Sequence, residues 1–275
     1  MYRNFFVTCV LASIPFYRAC ISYMEQSYFK EYYHLERVNW WFTVRRKILT
    51  ERITHLLDHP THLSSLNVGA ATGTTSDMLA QFGEVMSVEF DEDCCRFAQT
   101  VLSTPIIQGS ITELPFANNS YDFVCAFDVI EHVEDHQKAM DELYRVCKPG
   151  GHIAITVPAY AFLWGPHDVI NQHYRRYTMR GLLDLFGGNK GSVIYKTYFN
   201  SILFIPIALF RLAARLISMS GIKQSGEVNS DHEIFGTKGI FNSILAGFFN
   251  IDYYLLKNNF RFPAGVSIMV FFKKN

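Results

Sequence analysis

One stretch decides how this 275-residue chain folds: Leu66-Asn67-Val68-Gly69-Ala70-Ala71-Thr72-Gly73-Thr74-Thr75-Ser76-Asp77. A short apolar run enters it, two glycines lie four positions apart, and a helical pattern leaves it. An α/β sheet builds a nucleotide site from a strand, a small-residue turn and a helix N-terminus. Glycines allow a tight turn and a close approach to the ligand, and the free N–H groups of the helix face polar or anionic atoms. The stretch therefore predicts a nucleotide-like ligand.

The spacing of the small residues narrows the choice of ligand. A G-x-G-x-x-G fingerprint would fall on Gly69, Ala71 and Thr74, whereas G-x-G-x-G falls on Gly69, Ala71 and Gly73 and fits better. The second spacing resembles the first motif of S-adenosylmethionine-dependent methyltransferases with a Rossmann-like fold. A glycine loop alone is weak evidence, so the identification depends on the segments that follow it.

Three later segments strengthen this resemblance. Glu89 lies 20 positions after Gly69 (89 − 69), at the tip of the second predicted strand, where an acid can accept hydrogen bonds from both ribose hydroxyls. The run from Glu113 to Val124, with its Leu-Pro-Phe and aromatic-Asp-x-Val pattern, resembles the family's entry into the fourth strand. The turn Pro149-Gly150-Gly151 also matches the family. The chain thus resembles class I (Rossmann-like) methyltransferases of the type 11/12-like branch.

The resemblance implies a fold, a cofactor and a set of cofactor-binding residues. The implied fold is an α/β, Rossmann-like seven-stranded sheet, parallel with a late antiparallel strand and with helices on both faces. The implied cofactor is S-adenosyl-L-methionine. The implied cofactor-binding residues are Gly69, Ala70, Ala71, Gly73, Glu89, Phe90, Ser110, Ile111, Phe127 and Asp128. Two of them depart from the family pattern, because glycine is usual at Ala71 and aspartate at Ser110.

A polar loop after the fifth predicted strand carries the candidate catalytic residues. A methyl acceptor must lose a proton, and a histidine oriented by a carboxylate can take it near neutral pH. The candidates for proton removal are His167, Asp168 and His173, and those for substrate binding are Trp41, Arg45, Arg175 and Arg176. A loop held by its own hydrogen bonds, and a helix that simply packs on the sheet, remain the alternatives for these residues.

The composition allows one large domain and gives no reason to expect nucleic acid as a partner. The chain is 49% hydrophobic and 18% charged, and Lys+Arg and Asp+Glu both total 25. A nucleic-acid-binding domain would show a basic face. The six cysteines form no C-x-x-C pair and have no histidines at zinc-site spacing, so we expect reduced, mostly buried thiols and no metal site.

We predict three parts of the chain: an uncertain hydrophobic extension at 1–23, a helical cap at 24–60, and a methyltransferase domain at 61–275 with a helical insertion at about 200–262. The extension is interpreted as a helix, a membrane-surface anchor or sequence upstream of the true start. The apolar insertion favours a small-molecule acceptor that is apolar or lipid-linked. It also leaves open a peripheral membrane contact for a protein expected in the cytoplasm. Its uninterrupted apolar run, 202–210, is too short to span a bilayer.

Two other classes of function stay open at this stage. A Rossmann oxidoreductase would need a third glycine, where this chain has Thr74. A non-catalytic, membrane-associated methyltransferase-like binding protein would be consistent with the departures at Ala71 and Ser110. Binding of the cofactor and turnover of an acceptor would separate these classes from an active methyltransferase.

Overall fold

The computed structural model describes residues 28–188, 190–219 and 239–275. The predicted extension at 1–23 lies outside these residues, and the division into cap and domain stays a prediction. The described chain begins with two helices, α1, which includes residues 28–38, and α2, Trp40–Leu56. The sequence pattern indicates a single helix here. The structure interrupts it at Asn39, whose side-chain oxygen accepts a 2.9 Å hydrogen bond from the Trp41 N–H and so caps α2.

Seven strands form one sheet in the order β3-β2-β1-β4-β5-β7-β6. Their bounds are β1 Leu63–Val68, β2 Gly83–Glu89, β3 Ile106–Gln108, β4 Tyr121–Phe127, β5 Cys147–Pro158, β6 Gly191–Phe199 and β7 Ser267–Lys274. Strand β7 runs antiparallel to both of its neighbours, and the remaining pairs are parallel. The predicted Rossmann-like sheet with a late antiparallel strand is therefore confirmed.

The helices cover both faces of this sheet. Strand β4 demonstrates this, because its alternate residues point to opposite faces: Val124 and Ala126 belong to one apolar cluster, Phe123 and Cys125 to another. The helices after α2 are α3 Thr74–Leu79, α4 Glu92–Val101, α5 His136–Val146, α6 Pro166–Ile170, α7 Met179–Asp184, α8 Phe204–Met219 and α9 Ile240–Lys257. The second cluster includes residues of α2, α3 and α9, and the first includes residues of α5 and α7.

Side-chain caps begin several of these helices, at residue types that favour the N-cap position. The Asp91 carboxylate accepts a 2.7 Å hydrogen bond from the Cys94 N–H at the start of α4. The Thr178 hydroxyl accepts one of 3.1 Å from the Gly181 N–H at the start of α7. Because each cap supplies an acceptor for a backbone N–H that the helix leaves free, the start of the helix can be read from the sequence.

Helix α9 turns its apolar stripe outward. Phe241, Ile244, Phe248 and Ile251 recur at helical spacing and are exposed, while Phe249 is fully buried against α2 and the sheet. The outward side chains of α8 include Ile205, Leu209 and Leu212. Within the described part of the chain, none of the helices has the length and the apolar character that crossing a bilayer requires.

A buried carboxylate ties α9 to the end of β6. Asp252 is completely buried, and its two oxygens accept hydrogen bonds from the backbone N–H groups of Ser201, at 2.5 Å, and Ile202, at 3.1 Å. Burial raises the pKa of Asp252 above its ordinary value, and these bonds from the backbone oppose the rise. The contact joins segments that are about 50 residues apart in the sequence.

We expect Asp252→Ala to lower the free energy of unfolding by about 2–4 kcal/mol, because it removes a buried carboxylate that accepts hydrogen bonds from two backbone N–H groups. Urea denaturation measures this change. The matched control is Asp184→Ala at an exposed position of α7, where a change within about 0.5 kcal/mol is expected. Equal stability of the two variants would contradict the anchoring role of Asp252.

Candidate functional site

The turn after β1 has an unusual backbone that positions the site. Gly69, Ala71 and Gly73 all have left-handed φ angles, of 74°, 47° and 95°. A Cβ on Gly69 would lie 2.4 Å from Val129, in the turn after β4, so that two strand-end turns pack directly on each other. Ala71 adopts the left-handed conformation without the freedom of glycine. The departure at Ala71 therefore leaves the shape of the turn intact.

Glu89 joins this turn to the tip of β2. Its Oε2 accepts a 2.8 Å hydrogen bond from the Ala71 N–H, and its Oε1 accepts one of 3.0 Å from the Asp91 N–H. Burial raises the pKa of Glu89 above its ordinary value, and these backbone bonds oppose the rise. Each carboxylate oxygen can accept two hydrogen bonds, so both retain capacity for a ribose hydroxyl. The adjacent Phe90 is 72% exposed and offers an apolar face beside that acceptor.

After the third strand, Ser110 offers the cofactor a weaker polar contact than the aspartate that is usual in the family. The Ser110 hydroxyl lies 2.9 Å from the Thr112 hydroxyl and also accepts a hydrogen bond from the Thr112 N–H. These bonds hold the turn in which Ser110 lies, and the neighbouring Ile111 is buried. Serine is uncharged at this position, so any contact with an adenine amine would lack the charge assistance that an aspartate provides.

The turn after β4 brings two predicted groups together. The Arg45 guanidinium on α2 forms a 2.8 Å ion pair with Asp128 and donates a hydrogen bond to the Phe127 carbonyl. Its charge lies 4.8 Å from the centre of the Trp41 ring. Asp128, with a φ of 60°, also accepts a bond from the Thr156 hydroxyl on β5. The predicted substrate residues Trp41 and Arg45 thus lie beside the predicted cofactor residues Phe127 and Asp128.

Glu36 is a site residue that the sequence interpretation missed. This buried carboxylate of α1 accepts hydrogen bonds from the Thr72 and Thr74 hydroxyls of the glycine turn. Burial raises its pKa above the ordinary value, and the hydroxyl bonds oppose the rise. Glu36 and Arg45 also line a small cavity between the N-terminal helices and α3. No local motif marks Glu36, because its partners lie 36 and 38 positions further along the chain.

The candidate catalytic loop forms a network around Asp168. Asp168 is completely buried, and its carboxylate accepts hydrogen bonds from His173 Nδ1 at 2.9 Å, Arg176 Nε at 2.7 Å and the Gly165 N–H at 2.8 Å. Burial alone would raise the pKa of Asp168, but these partners hold it well below its ordinary value. This geometry suits a carboxylate that orients His173, rather than one that exchanges protons.

The remaining loop candidates, His167, Arg175 and Arg176, contact different partners. The Asn171 amide nitrogen lies 3.1 and 3.2 Å from the ring nitrogens of His167. Arg175 donates to the Val133 and Glu134 carbonyls. The Arg176 side chain is only 3% exposed and pairs with Asp168. Both arginines thus make bonds that hold the loop, which is the structural alternative to binding substrate charge.

The residues at the carboxyl edge of the sheet fit S-adenosylmethionine. Glu89 offers acceptors for ribose hydroxyls, the exposed Phe90 ring lies beside it, and the buried Glu36 carboxylate places negative charge at the glycine turn. The cofactor carries positive charge on its sulfonium and its ammonium groups, which a desolvated carboxylate can attract. The carboxyl ends of parallel strands are where such folds bind their ligands.

Comparisons with known proteins find methyltransferases among the relatives of this chain. Residues 66–155 match the methyltransferase domain family. Demethylmenaquinone methyltransferase from Renibacterium salmoninarum is 33% identical over 119 residues, covering 42% of this chain and 48% of that protein. A probable S-adenosylmethionine-dependent methyltransferase from Mycolicibacterium smegmatis is 29% identical over 126 residues, covering 45% and 48%. The chain spans about half the length of the curated relatives it matches.

Solved structures support the fold. A putative sarcosine dimethylglycine methyltransferase from Galdieria sulphuraria aligns with a TM-score of 0.52 and 18% identity, over 82% of this chain and 85% of that one. The cyclase SpnF aligns with a TM-score of 0.51 and 17% identity, over 83% and 80%. Because a cyclase and a methyltransferase share this fold, the similarity does not fix the reaction.

Together, the family match, the sheet order and the glycine turn define a class I, Rossmann-like methyltransferase domain. The domain is of the S-adenosylmethionine-dependent type, as the motifs predict, and S-adenosylmethionine is the cofactor of this class.

The raised pKa of Glu36 predicts a pH-dependent stability. A raised pKa means that the folded protein holds this proton more tightly than the unfolded chain, so stability falls as pH rises from the unfolded pKa through the folded one. In the cofactor-free protein, we therefore expect Glu36→Gln to gain stability relative to the unmodified protein as pH rises from about 4 to about 8. Urea denaturation across this range measures the difference.

The control variant is Glu31→Gln, which removes a charge from an exposed position of the same helix. A constant stability difference between Glu36→Gln and the unmodified protein at all pH values would contradict the desolvation of Glu36.

Proposed function

We propose that this protein transfers the methyl group of S-adenosylmethionine to an apolar, lipid-like small molecule, with a demethylated quinol as the first candidate acceptor. The observation that carries the proposal is the bridge from Glu89 to the Ala71 N–H at the carboxyl edge of the sheet. It joins a ribose acceptor to the glycine turn within one site. Bound S-adenosylmethionine supplies an electrophilic methyl group on a positively charged sulfur, so that the protein's main contributions are positioning and proton removal.

The choice of acceptor rests on two kinds of support. Several relatives are demethylmenaquinone methyltransferases, and this chain matches about half of their length. In this chain, α8 and α9 expose apolar side chains such as Leu209, Phe241 and Phe248. Such side chains suit an acceptor with an apolar tail, or a contact with the lipid surface where that acceptor resides.

The proposed proton acceptor is His173. Its Nδ1 is engaged with Asp168, which leaves Nε2 as the ring nitrogen that can accept a proton. The interaction with Asp168 fixes the orientation of the ring, as an orienting carboxylate does for a catalytic histidine. Asp168 and Arg176 are then positioning residues. We prefer His173 to His167 because the contact with Asp168 fixes the His173 ring, whereas the His167 ring lies beside the Asn171 amide.

Glu89→Gln should weaken binding of S-adenosylhomocysteine by at least about tenfold, because it replaces a charged acceptor with a neutral group. Calorimetric titration measures this affinity. The matched control is Glu92→Gln, an exposed acid on α4, which should bind as the unmodified protein does. An absence of binding to the unmodified protein at millimolar ligand would refute the proposed function, and equal affinity of both variants would refute the assignment of Glu89.

His173→Ala should reduce methyl transfer by about 100- to 10,000-fold while leaving the affinity for S-adenosylhomocysteine unchanged. The assay uses a demethylated naphthoquinol with a short isoprenoid tail and measures S-adenosylhomocysteine formation. The matched control is His167→Ala, which should keep most of the activity. A tailless naphthoquinol should be the poorer acceptor if the apolar helices contribute to binding.

Equal losses in the two histidine variants would contradict the choice of His173. Because removal of the ring could disturb the loop, His173→Gln provides a second variant that retains a hydrogen-bonding side chain. If the unmodified protein binds S-adenosylhomocysteine but methylates neither quinol, the proposed acceptor class is wrong and the cofactor assignment stands.

A further inference from the structure

Two histidines and a buried glutamate converge at the end of β4, although the cysteine and histidine spacing of the sequence predicts no metal site. One potential ligand atom from each of Glu131, His132 and His173 lies within 4.8 Å of the other two. The rings of His132 and His173 meet edge to face, with their centres 4.6 Å apart. Two segments that are about 40 residues apart in the sequence thus present three metal-binding side chains to one point.

The backbone holds these two segments together. Glu131 and His132 lie in the 3-10 turn Ile130–His132. The Tyr174 N–H donates a 2.8 Å hydrogen bond to the Glu131 carbonyl, and the His173 N–H donates one of 2.9 Å to the Asp168 carbonyl. The convergence of the side chains is therefore a property of the fold, not of flexible side chains alone.

Glu131 has an unmet requirement for a partner. The residue is 1% exposed, and its Oε2 is buried with no hydrogen-bond partner among the described residues. The salt bridges found in the described part of the chain include none to Glu131, whereas the nearby Asp128 and Asp168 each pair with arginine. A buried carboxylate oxygen without a partner is costly. A cation beside Glu131 would supply the missing partner.

The contact of His173 with Asp168 is of the kind that metal-binding histidines make. A histidine that ligates a metal usually donates its other ring N–H to a carboxylate, which fixes the ring orientation and raises the basicity of the ligating nitrogen. The 2.9 Å bond between His173 Nδ1 and Asp168 is of this type and leaves Nε2 for the metal, so that in the metal-bound protein this nitrogen is a ligand and does not serve as the proton acceptor proposed above. His132 is exposed, so the cluster is accessible from solvent and one of its ligands can adjust.

We infer that Glu131, His132 and His173 bind a first-row divalent cation of the Zn²⁺ class. Two imidazoles and one carboxylate suit Zn²⁺, Co²⁺ or Fe²⁺ better than Mg²⁺ or Ca²⁺, which prefer oxygen ligands. Bonds of about 2.1 Å place two ligands on one ion at most about 4.2 Å apart. The three potential ligand atoms lie within 4.8 Å of one another, so they need to approach by less than about 1 Å to bind one ion. Three protein ligands leave a further coordination position open.

The test uses tag-free protein that has been treated with a chelator and then freed of it. We expect Zn²⁺ to bind with a stoichiometry of one in calorimetric titration, and Co²⁺ at the same site to give a visible absorption band. Glu131→Gln should weaken Zn²⁺ binding by more than about 100-fold, because loss of a direct ligand should exceed the 10- to 100-fold effect of losing a supporting partner. His132→Ala should also remove the Co²⁺ band.

The matched control is His62→Ala, an exposed histidine just before β1, which should bind both metals as the unmodified protein does. The unfolding midpoint of each metal-free variant shows whether it has folded. The absence of saturable binding, or equal Zn²⁺ affinity in folded Glu131→Gln, would overturn the inference. Binding of S-adenosylhomocysteine to the same chelated protein tests the proposed function separately, since that ligand does not require the three metal ligands.

Discussion

The left-handed turn from Gly69 to Gly73 is the constraint on which the rest of the site depends. Because Gly69 has no Cβ, Val129 can pack against it, and the turns that follow β1 and β4 lie in direct contact. The same turn points the Ala71 N–H at Glu89 and brings the Thr72 and Thr74 hydroxyls to Glu36. One short piece of backbone thus contacts α1, the tip of β2 and the turn after β4, which together form the predicted cofactor site.

The buried acids Glu36, Glu131 and Asp168 have different partners, which fit different roles. Asp168 has charged partners on several sides, so it is suited to hold other groups in place. Glu36 has only hydroxyl donors among its described hydrogen bonds, and Glu131 retains an oxygen without a described partner. Unpaired buried charge is expensive. The salt bridges of the described residues include none to Glu36 or Glu131, and these are the acids at which we expect a positively charged ligand.

Local patterns in the sequence predicted the fold well, because turns, helix caps and strands depend on residues that are close together in the sequence. The glycine spacing, the caps at Asp91 and Thr178 and the strand alternation each depend on residues within a few positions. The pair of Arg45 and Asp128 spans 83 positions (128 − 45), and no local pattern records it. For the same reason, the sequence identified His173 and Asp168 as one loop but could not join that loop to Glu131 across the sheet edge.

The cofactor residues predicted from the sequence lie in the part of the chain that matches the family, whereas the proposed proton acceptor lies after it. The family match covers residues 66–155, which contain the glycine turn, Glu89 and Asp128. The Asp168 network, α8 and the exposed stripe of α9 all lie after it. Within one fold, the cofactor constrains the first region in the same way in every member, whereas each acceptor demands its own loop and helices. We therefore expect recognition of the acceptor to depend on segments after the match, above all on the loop around Asp168 and on the exposed apolar side chains of α8 and α9.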